Sequence, residues 1–166
     1  MFSLSPQGAY TAYTKAFSIC DIGTPTTYRW YVRVSHFNPA RPKELQRVTG
    51  NLSFPTPFSD HFGAKVVLDA RSNNQWKENA FVFSFKNKAC TMSQVHIPDA
   101  FRVFFGGHQC PLPQNFVVQF VDEAVAWLFP QVPVMPYGHW RFRYMVRSSN
   151  VTYSCLAAEA ITIPKL

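Results

Sequence analysis

The sequence predicts an all-β chain, an antiparallel β-sandwich or β-cup with an apolar interior cavity and little helix. Residues 1–166 are expected to form a single domain, with residues 1–15 as a loose N-terminal segment. Three observations predict this class. Apolar residues alternate with polar or charged ones along several segments, the two-residue period of a half-buried strand. Turn-forming residues fall between those segments at short intervals. The composition agrees, with 16 Phe, 7 Tyr and 13 Pro favouring strands and turns over helices.

In chain order, the first clear strand has Tyr28, Trp30, Val32 and Val34 alternating with Arg29, Tyr31, Arg33 and Ser35. Turn chemistry at Asn38-Pro39 and Arg41-Pro42 separates it from a second strand over Val48 to Phe54. Val66, Leu68 and Ala70 then alternate with Lys65, Val67, Asp69 and Arg71, and Ser72-Asn73-Asn74 reads as a turn. Phe81, Phe83 and Phe85 alternate with Val82, Ser84 and Lys86, which places three phenylalanines on one face. Pro98 suits the first position of a short helix over Asp99 to Phe105, closed by a turn at Gly106-Gly107. Asn115 to Phe120 is a strand, and Asp122 to Phe129 has room for two helical turns before Pro130. After a turn at Tyr137-Gly138, Trp140, Phe142, Tyr144 and Val146 alternate with Arg141, Arg143 and Arg147, and Tyr153 to Ile163 is the last strand. The interior set is heavily aromatic. Two sheets either interdigitate fully around such rings or splay and leave a lined cavity, and alternation alone leaves both open.

Composition also excludes classes. With 47% hydrophobic and 15% charged residues, the chain is neither disordered nor a coiled coil. The longest stretch free of charged residues, Ala124 to Trp140, is broken by Pro130, Pro133, Pro136 and Gly138, so no apolar helix of about 20 residues is expected. The net charge of +7 suits nucleic acid or an anionic membrane surface. The basic residues are scattered, however, and many alternate with aromatics, as on the solvated face of a sheet. Base stacking needs an aromatic face open to solvent, whereas in a sandwich that face is core, so no nucleic-acid partner is expected. His36, His61, His96, His108 and His139 show no metal-ligand spacing, and no G-x-S-x-G elbow occurs. No catalytic residue, metal or cofactor is therefore expected; a lipid hydrolase would need a Ser or Cys brought beside one of the histidines.

Cys20, Cys90, Cys110 and Cys155 form no C-x-x-C pair. An even number at long spacing is compatible with two disulfides, and equally with four buried thiols in a reducing compartment. The acceptor sequences at Asn51 (Asn51-Leu52-Ser53) and Asn150 (Asn150-Val151-Thr152) agree with a secretory route. Residues 1–10 lack the charged and apolar regions of a signal peptide, so a secreted form is expected to be the mature chain. Between Val125 and Tyr137, Trp127, Leu128, Phe129, Val132, Val134, Met135 and Tyr137 crowd among prolines that prevent regular structure. Such a loop either plugs the mouth of the core or forms an apolar rim that dips into a membrane.

Four local patterns carry a family resemblance: Ile19-Cys20-Asp21-Ile22-Gly23; Gly50-Asn51-Leu52-Ser53; Gln109-Cys110-Pro111; and Gly138-His139-Trp140-Arg141-Phe142 with Ser148-Ser149 and Cys155-Leu156 after it. In order and spacing these resemble the ganglioside-activator family, lysosomal sphingolipid activators within the lipid-recognition (ML-like) group of cup-shaped β folds. They also resemble secreted invertebrate relatives, some proposed for chemosensory or pheromone contexts. The family carries further disulfides in its loop region that have no counterpart here.

The resemblance implies pairing of Cys20 with Cys155 and of Cys90 with Cys110, which loop-closure entropy values at roughly 3–5 kcal/mol each. It also implies non-covalent binding of a lipid (a glycolipid, phospholipid or fatty acid) inside the cup. The head group would be offered to a lipid-processing enzyme or receptor, and the surface would dock on anionic membrane. The lining would be Trp30, Val32, Phe54, Leu68, Phe81, Phe83, Phe85, Phe101, Phe142 and Tyr144. The rim would be Trp127, Leu128, Phe129, Val132, Val134, Met135 and Tyr137, with Arg141, Arg143, Lys86 or Arg102 near an acidic head group. The implied location is extracellular or the endolysosomal lumen. The alternative is a secreted interaction or signalling protein on a filled β-sandwich without lipid cargo.

Overall fold

The computed structural model describes residues 6–20, 22–23 and 26–166; Asp21 of the first cysteine motif lies outside the described residues. The strands are β1 (Gln7–Gly8), β2 (Tyr10–Ile19), β3 (Arg29–Val34), β4 (Gln46–Phe54), β5 (Gly63–Ser72) and β6 (Gln75–Phe85). Two short helices follow, α1 (Ala89–His96) and α2 (Pro98–Phe104), then β7 (Phe116–Val125), β8 (Met135–Pro136), β9 (Gly138–Ser148) and β10 (Val151–Pro164). All pairings are antiparallel, in a five-stranded sheet of order β2-β10-β9-β5-β6, a three-stranded sheet β3-β4-β7 and a small β1-β8 ribbon. The all-β sandwich or cup read from the alternation is the architecture found.

Local chemistry explains the elements. The turn from β5 to β6 uses Asn73 and Asn74 at φ 51° and 61°, the left-handed region that asparagine tolerates best after glycine. Gly50 sits where β3 crosses closest: a Cβ there would lie 1.8 Å from the Tyr31 carbonyl oxygen, so any side chain would part the two strands. α2 starts with Pro98 in its first turn, as read from the sequence, and Asp99 behind it accepts from the Ala126 N–H at 2.7 Å.

Two sequence expectations fail and one element goes unread, each for a local reason. Residues 10–15 are not loose, because β2 pairs with β10 from Tyr10 to Ile19. A register shift at Glu159/Ala160 leaves Lys15 unpaired and reverses the alternation halfway along, which hides the strand from a period-two reading. The helix over Asp122 to Phe129 is absent, since β7 runs on to Val125 with Glu123 opposite Val48 and Val125 opposite Gln46. α1 was not foreseen; its start is fixed from outside the helix by Asp60, whose carboxylate accepts from the Thr91 N–H at 2.8 Å and the Thr91 hydroxyl at 2.5 Å.

Cys20 bonds to Cys155 and Cys90 to Cys110, the pairing the family resemblance implies. The two sheets meet where β2 runs beside β3, and the Tyr28 N–H donates to the Tyr153 carbonyl at 2.9 Å. Between them lies a core of Tyr28, Trp30, Phe54, Phe58, Phe62, Phe101, Phe104, Phe105, Phe116 and Phe120, closed by the two helices. Tyr28, Phe54 and Phe58 are fully buried.

Candidate functional site

The inward face of the five-stranded sheet is set by register. Phe81 lies opposite Leu68, Leu68 opposite Phe142, and Phe142 opposite Ala158; one step on, Phe83 lies opposite Val66 and Val66 opposite Tyr144. All these positions therefore share one side of the sheet. Its two ends differ. Toward Ala64, Tyr144, Val146 and Leu156 the face packs against the three-stranded sheet and the helices. Toward Ala70 and Trp140 it forms a second cluster, in which Leu68, Met135 and Trp140 pack with Tyr10, Val66, Ala70, Ala80, Val132 and Phe142. No strand of the three-stranded sheet contributes to this cluster.

The consequence is an apolar face left partly open. Phe81 and Phe83 point inward yet remain 43% and 45% exposed. Phe81 leans on Trp140, with ring centres 5.9 Å apart, and Phe142 stacks nearly parallel on Phe129 at 5.9 Å. The rim loop divides between plug and exposed edge. Trp127 packs on Phe17 and Phe104 and donates its indole N–H to the Gln46 amide oxygen at 2.9 Å. The Val132 carbonyl accepts from the Tyr10 hydroxyl at 2.6 Å, and the Tyr137 hydroxyl donates to the Ala9 carbonyl at 3.0 Å. Leu128 and Val134 stay more than half exposed.

Several residues named from the sequence as lining are ordinary core. Trp30, Val32, Phe54 and Phe101 are buried in the first cluster among close-set rings, with Phe101 4.5 Å from Phe105 and Phe54 4.5 Å from Tyr28. The Trp30 indole N–H is further held by the Ser154 hydroxyl. Phe85 packs at the margin of the same cluster, and Leu68 is the buried floor of the second. Tyr144 reaches the Ser93 hydroxyl at 2.5 Å, and burial outweighs that bond to push its phenol up to about 12. Met135 is buried beneath the rim and belongs to the core. What the sequence reading missed is Val66, Ala80 and the stacking of Phe129 on Phe142. Val66 had signalled itself in the β5 alternation, whereas the stacking joins residues on a loop and a strand and has no local pattern.

The basic residues named for a head group do not converge on this face. Arg141 and Arg143 alternate with Trp140, Phe142 and Tyr144 and so lie on the opposite, outer face, where both bind Asp69. Asp69 is fully buried and accepts from Arg141 at 2.7 Å, from Arg143 at 2.9 Å through both oxygens, and from the Asn79 N–H at 3.0 Å. Burial alone would raise its pKa, but these bonds from Arg143, Asn79 and Arg141 outweigh it and hold the carboxyl below the ordinary aspartate range. Arg102 is paired with Asp99 at 3.0 Å, and Lys86 is exposed at the end of β6.

Asn51 is exposed at the centre of β4, between Tyr31 and Gln119, and Asn150 is exposed in the β9–β10 turn. Among the described residues, no three His, Cys, Asp or Glu side chains converge as metal ligands, and no helix is long and apolar enough to cross a membrane.

No family model and no curated protein matches this chain. Among solved structures, it is similar to chicken MD-1 in complex with lipid IVa, at a TM-score of 0.40 and 8% identity, over 98% of this chain and 100% of that one.

Proposed function

We propose that this chain is a lipid-binding or lipid-transfer β-cup of ganglioside-activator type, secreted or resident in the endolysosomal lumen, with no catalytic step of its own. One observation carries the reading: the inward face at the β5–β6–β9 end is apolar and, among the described residues, no strand of the three-stranded sheet packs over it. Exposed phenylalanines side by side on an edge strand invite both aggregation and ligand burial. An acyl chain laid over Phe81, Phe83, Val66 and Phe142 would satisfy them, each buried methylene being worth about 0.8 kcal/mol. Phe129 flanks this face through its stacking on Phe142, and the glycolipid, phospholipid or fatty-acid head group would remain outside for an enzyme or receptor. The +7 charge supports docking on anionic membrane, at about 1 kcal/mol per basic residue near the surface.

The filled core around Phe54 and Phe58 favours the second reading, an interaction or signalling protein on a filled sandwich. Native mass spectrometry after incubation with mixed liposomes separates the two. The expected result is a mass increment of one or two lipids, removed by organic extraction and lost in Phe83→Asp at unchanged melting temperature. A chain that remains lipid-free would sink the carrier reading and leave the filled sandwich.

A further inference from the structure

A separate pocket of about 400 Å³ opens on the outer face of the five-stranded sheet, on the side away from Phe81 and Phe83. Its shape follows from side-chain size. Ala16, Ser18 and Ala157 are short and leave a hollow, which longer neighbours on β2, β5, β6 and β9 surround. Lys15 stands on one side, at the β2 position that the register shift leaves unpaired. Arg71, Trp76 and Arg141 stand on the other, and His139 and Glu159 complete the lining.

This wall is held in place before any ligand arrives. Arg141 is anchored to the buried Asp69 at 2.7 Å, and its guanidinium lies 4.9 Å from the Trp76 ring centre. Arg71 lies 5.1 Å from the same ring. His139 meets Trp76 edge to face at 5.3 Å and bonds to Glu159 at 2.6 Å. Orientation fixed in this way lowers the ordering cost of binding. Charge is left over: Arg141 is engaged by Asp69 and Glu78, but Lys15 and Arg71 face the single lining carboxylate of Glu159. Among the described residues neither Lys15 nor Arg71 pairs with a carboxylate.

From this arrangement we infer that the pocket is a binding site for an acidic saccharide, a sugar carrying a carboxylate or sulfate. Lys15 and Arg71 would take the anionic substituent. The Glu159 carboxylate, which would repel a bare anion, accepts hydrogen bonds from hydroxyls, and the short side chains of Ala16 and Ala157 leave an apolar floor for the C–H groups of a sugar ring, with Trp76 holding the guanidiniums of Arg71 and Arg141 beside it. The volume falls within the range of small-ligand sites, larger than a lone ion requires. A concave site holding a carboxylate also suits a discrete sugar better than a flat anionic bilayer. The site stands whether or not the inner face takes a lipid.

The test is calorimetric titration of the purified chain with a sulfated, uronate-containing heparin disaccharide. Maltose, sodium sulfate and phosphatidylserine vesicles serve as comparisons. The disaccharide should bind one to one, at least tenfold more tightly than maltose or sulfate. The Lys15→Ala/Arg71→Ala pair should lose at least tenfold, Glu159→Gln should weaken the disaccharide while strengthening sulfate, and Arg33→Ala, on the other sheet, should change nothing. Equal affinity for sulfate and disaccharide would reduce the pocket to an anion site and overturn the proposal. So would disaccharide binding that survives loss of Lys15 and Arg71, or vesicle binding that depends on them while the disaccharide fails to bind.

Discussion

The two ends of the interior are built from the same alternating aromatics and reach opposite outcomes. Beneath β3, β4 and the helices, Phe54 touches Tyr28, Trp30, Phe58, Phe105 and Phe116 with ring centres 4.5–6.2 Å away, and nothing of it reaches solvent. Along β6, Phe81 and Phe83 face the same interior with almost half their surface exposed. The difference lies in the opposing layer. The three-stranded sheet and helices cover one end, and at the other the described residues that approach are Tyr10, β8, Val132 and the Phe129 ring. Inward orientation is a property of a strand, whereas burial is a property of what lies across from it.

The largest effect expected concerns the covered end, where both disulfides lie. Cys20–Cys155 closes a span of 135 residues and Cys90–Cys110 one of 20. Chain entropy then sets losses of about 5 and about 3 kcal/mol for the corresponding paired Cys→Ser variants. Urea unfolding measures both. Equal losses would break the loop-length argument and point to residual structure in the denatured chain.

Next come two phenylalanines that the sequence cannot tell apart. Phe54→Ala should cost about 3–5 kcal/mol, because it opens a cavity among rigid rings. Phe83→Ala should cost less than about 1 kcal/mol, since its ring is already half in water, while weakening any lipid uptake. Chemical denaturation of the two variants side by side sharpens the comparison. A comparable loss at Phe83 would mean that the open face is covered in solution.

This pair also marks what was legible in the sequence. The strands from Tyr28 to Val34, Lys65 to Arg71 and Trp140 to Arg147 are readable because their own alternation is unbroken: the irregularity opposite Leu68 and Ala70 lies in β6, and the one opposite Val146 and Arg147 lies in β10. β2 was unreadable because its bulge swaps faces at Lys15, and α1 because the group that fixes its start, Asp60, lies far back in the chain. For the candidate site, the alternation correctly put Phe81, Phe83 and Phe142 on one face. It also put Trp30 and Phe54 inward, but whether an inward residue lines an opening or fills a core depends on the second sheet, which no local period encodes. The outer-face pocket was equally hidden, since Lys15, Trp76, His139 and Glu159 come from four different strands.

A further effect, smaller than those at the disulfides and Phe54, tests the outer face beneath the open end. Asp69 is ionised and bonded to Arg141 and Arg143, with its folded pKa below the unfolded value of about 3.9. A depressed folded pKa means that the unfolded chain takes up the proton first as the pH falls. The stabilisation is therefore complete above about pH 4 and disappears as the pH drops through the folded value. Asp69→Asn should cost about 2 kcal/mol at pH 7, the scale of hydrogen bonds to a buried charge, because both arginines keep some contact with water. The gap between wild type and variant should then close progressively below pH 4. Stability curves from pH 2 to pH 7 for the two proteins check the sign. A gap that widens in acid would mean the carboxyl is protonated in the folded state and the arginines are held by something else. In that event Trp76 and Arg141 would not be fixed as the outer pocket requires, while the open inner face, on the far side of the sheet, would be unaffected.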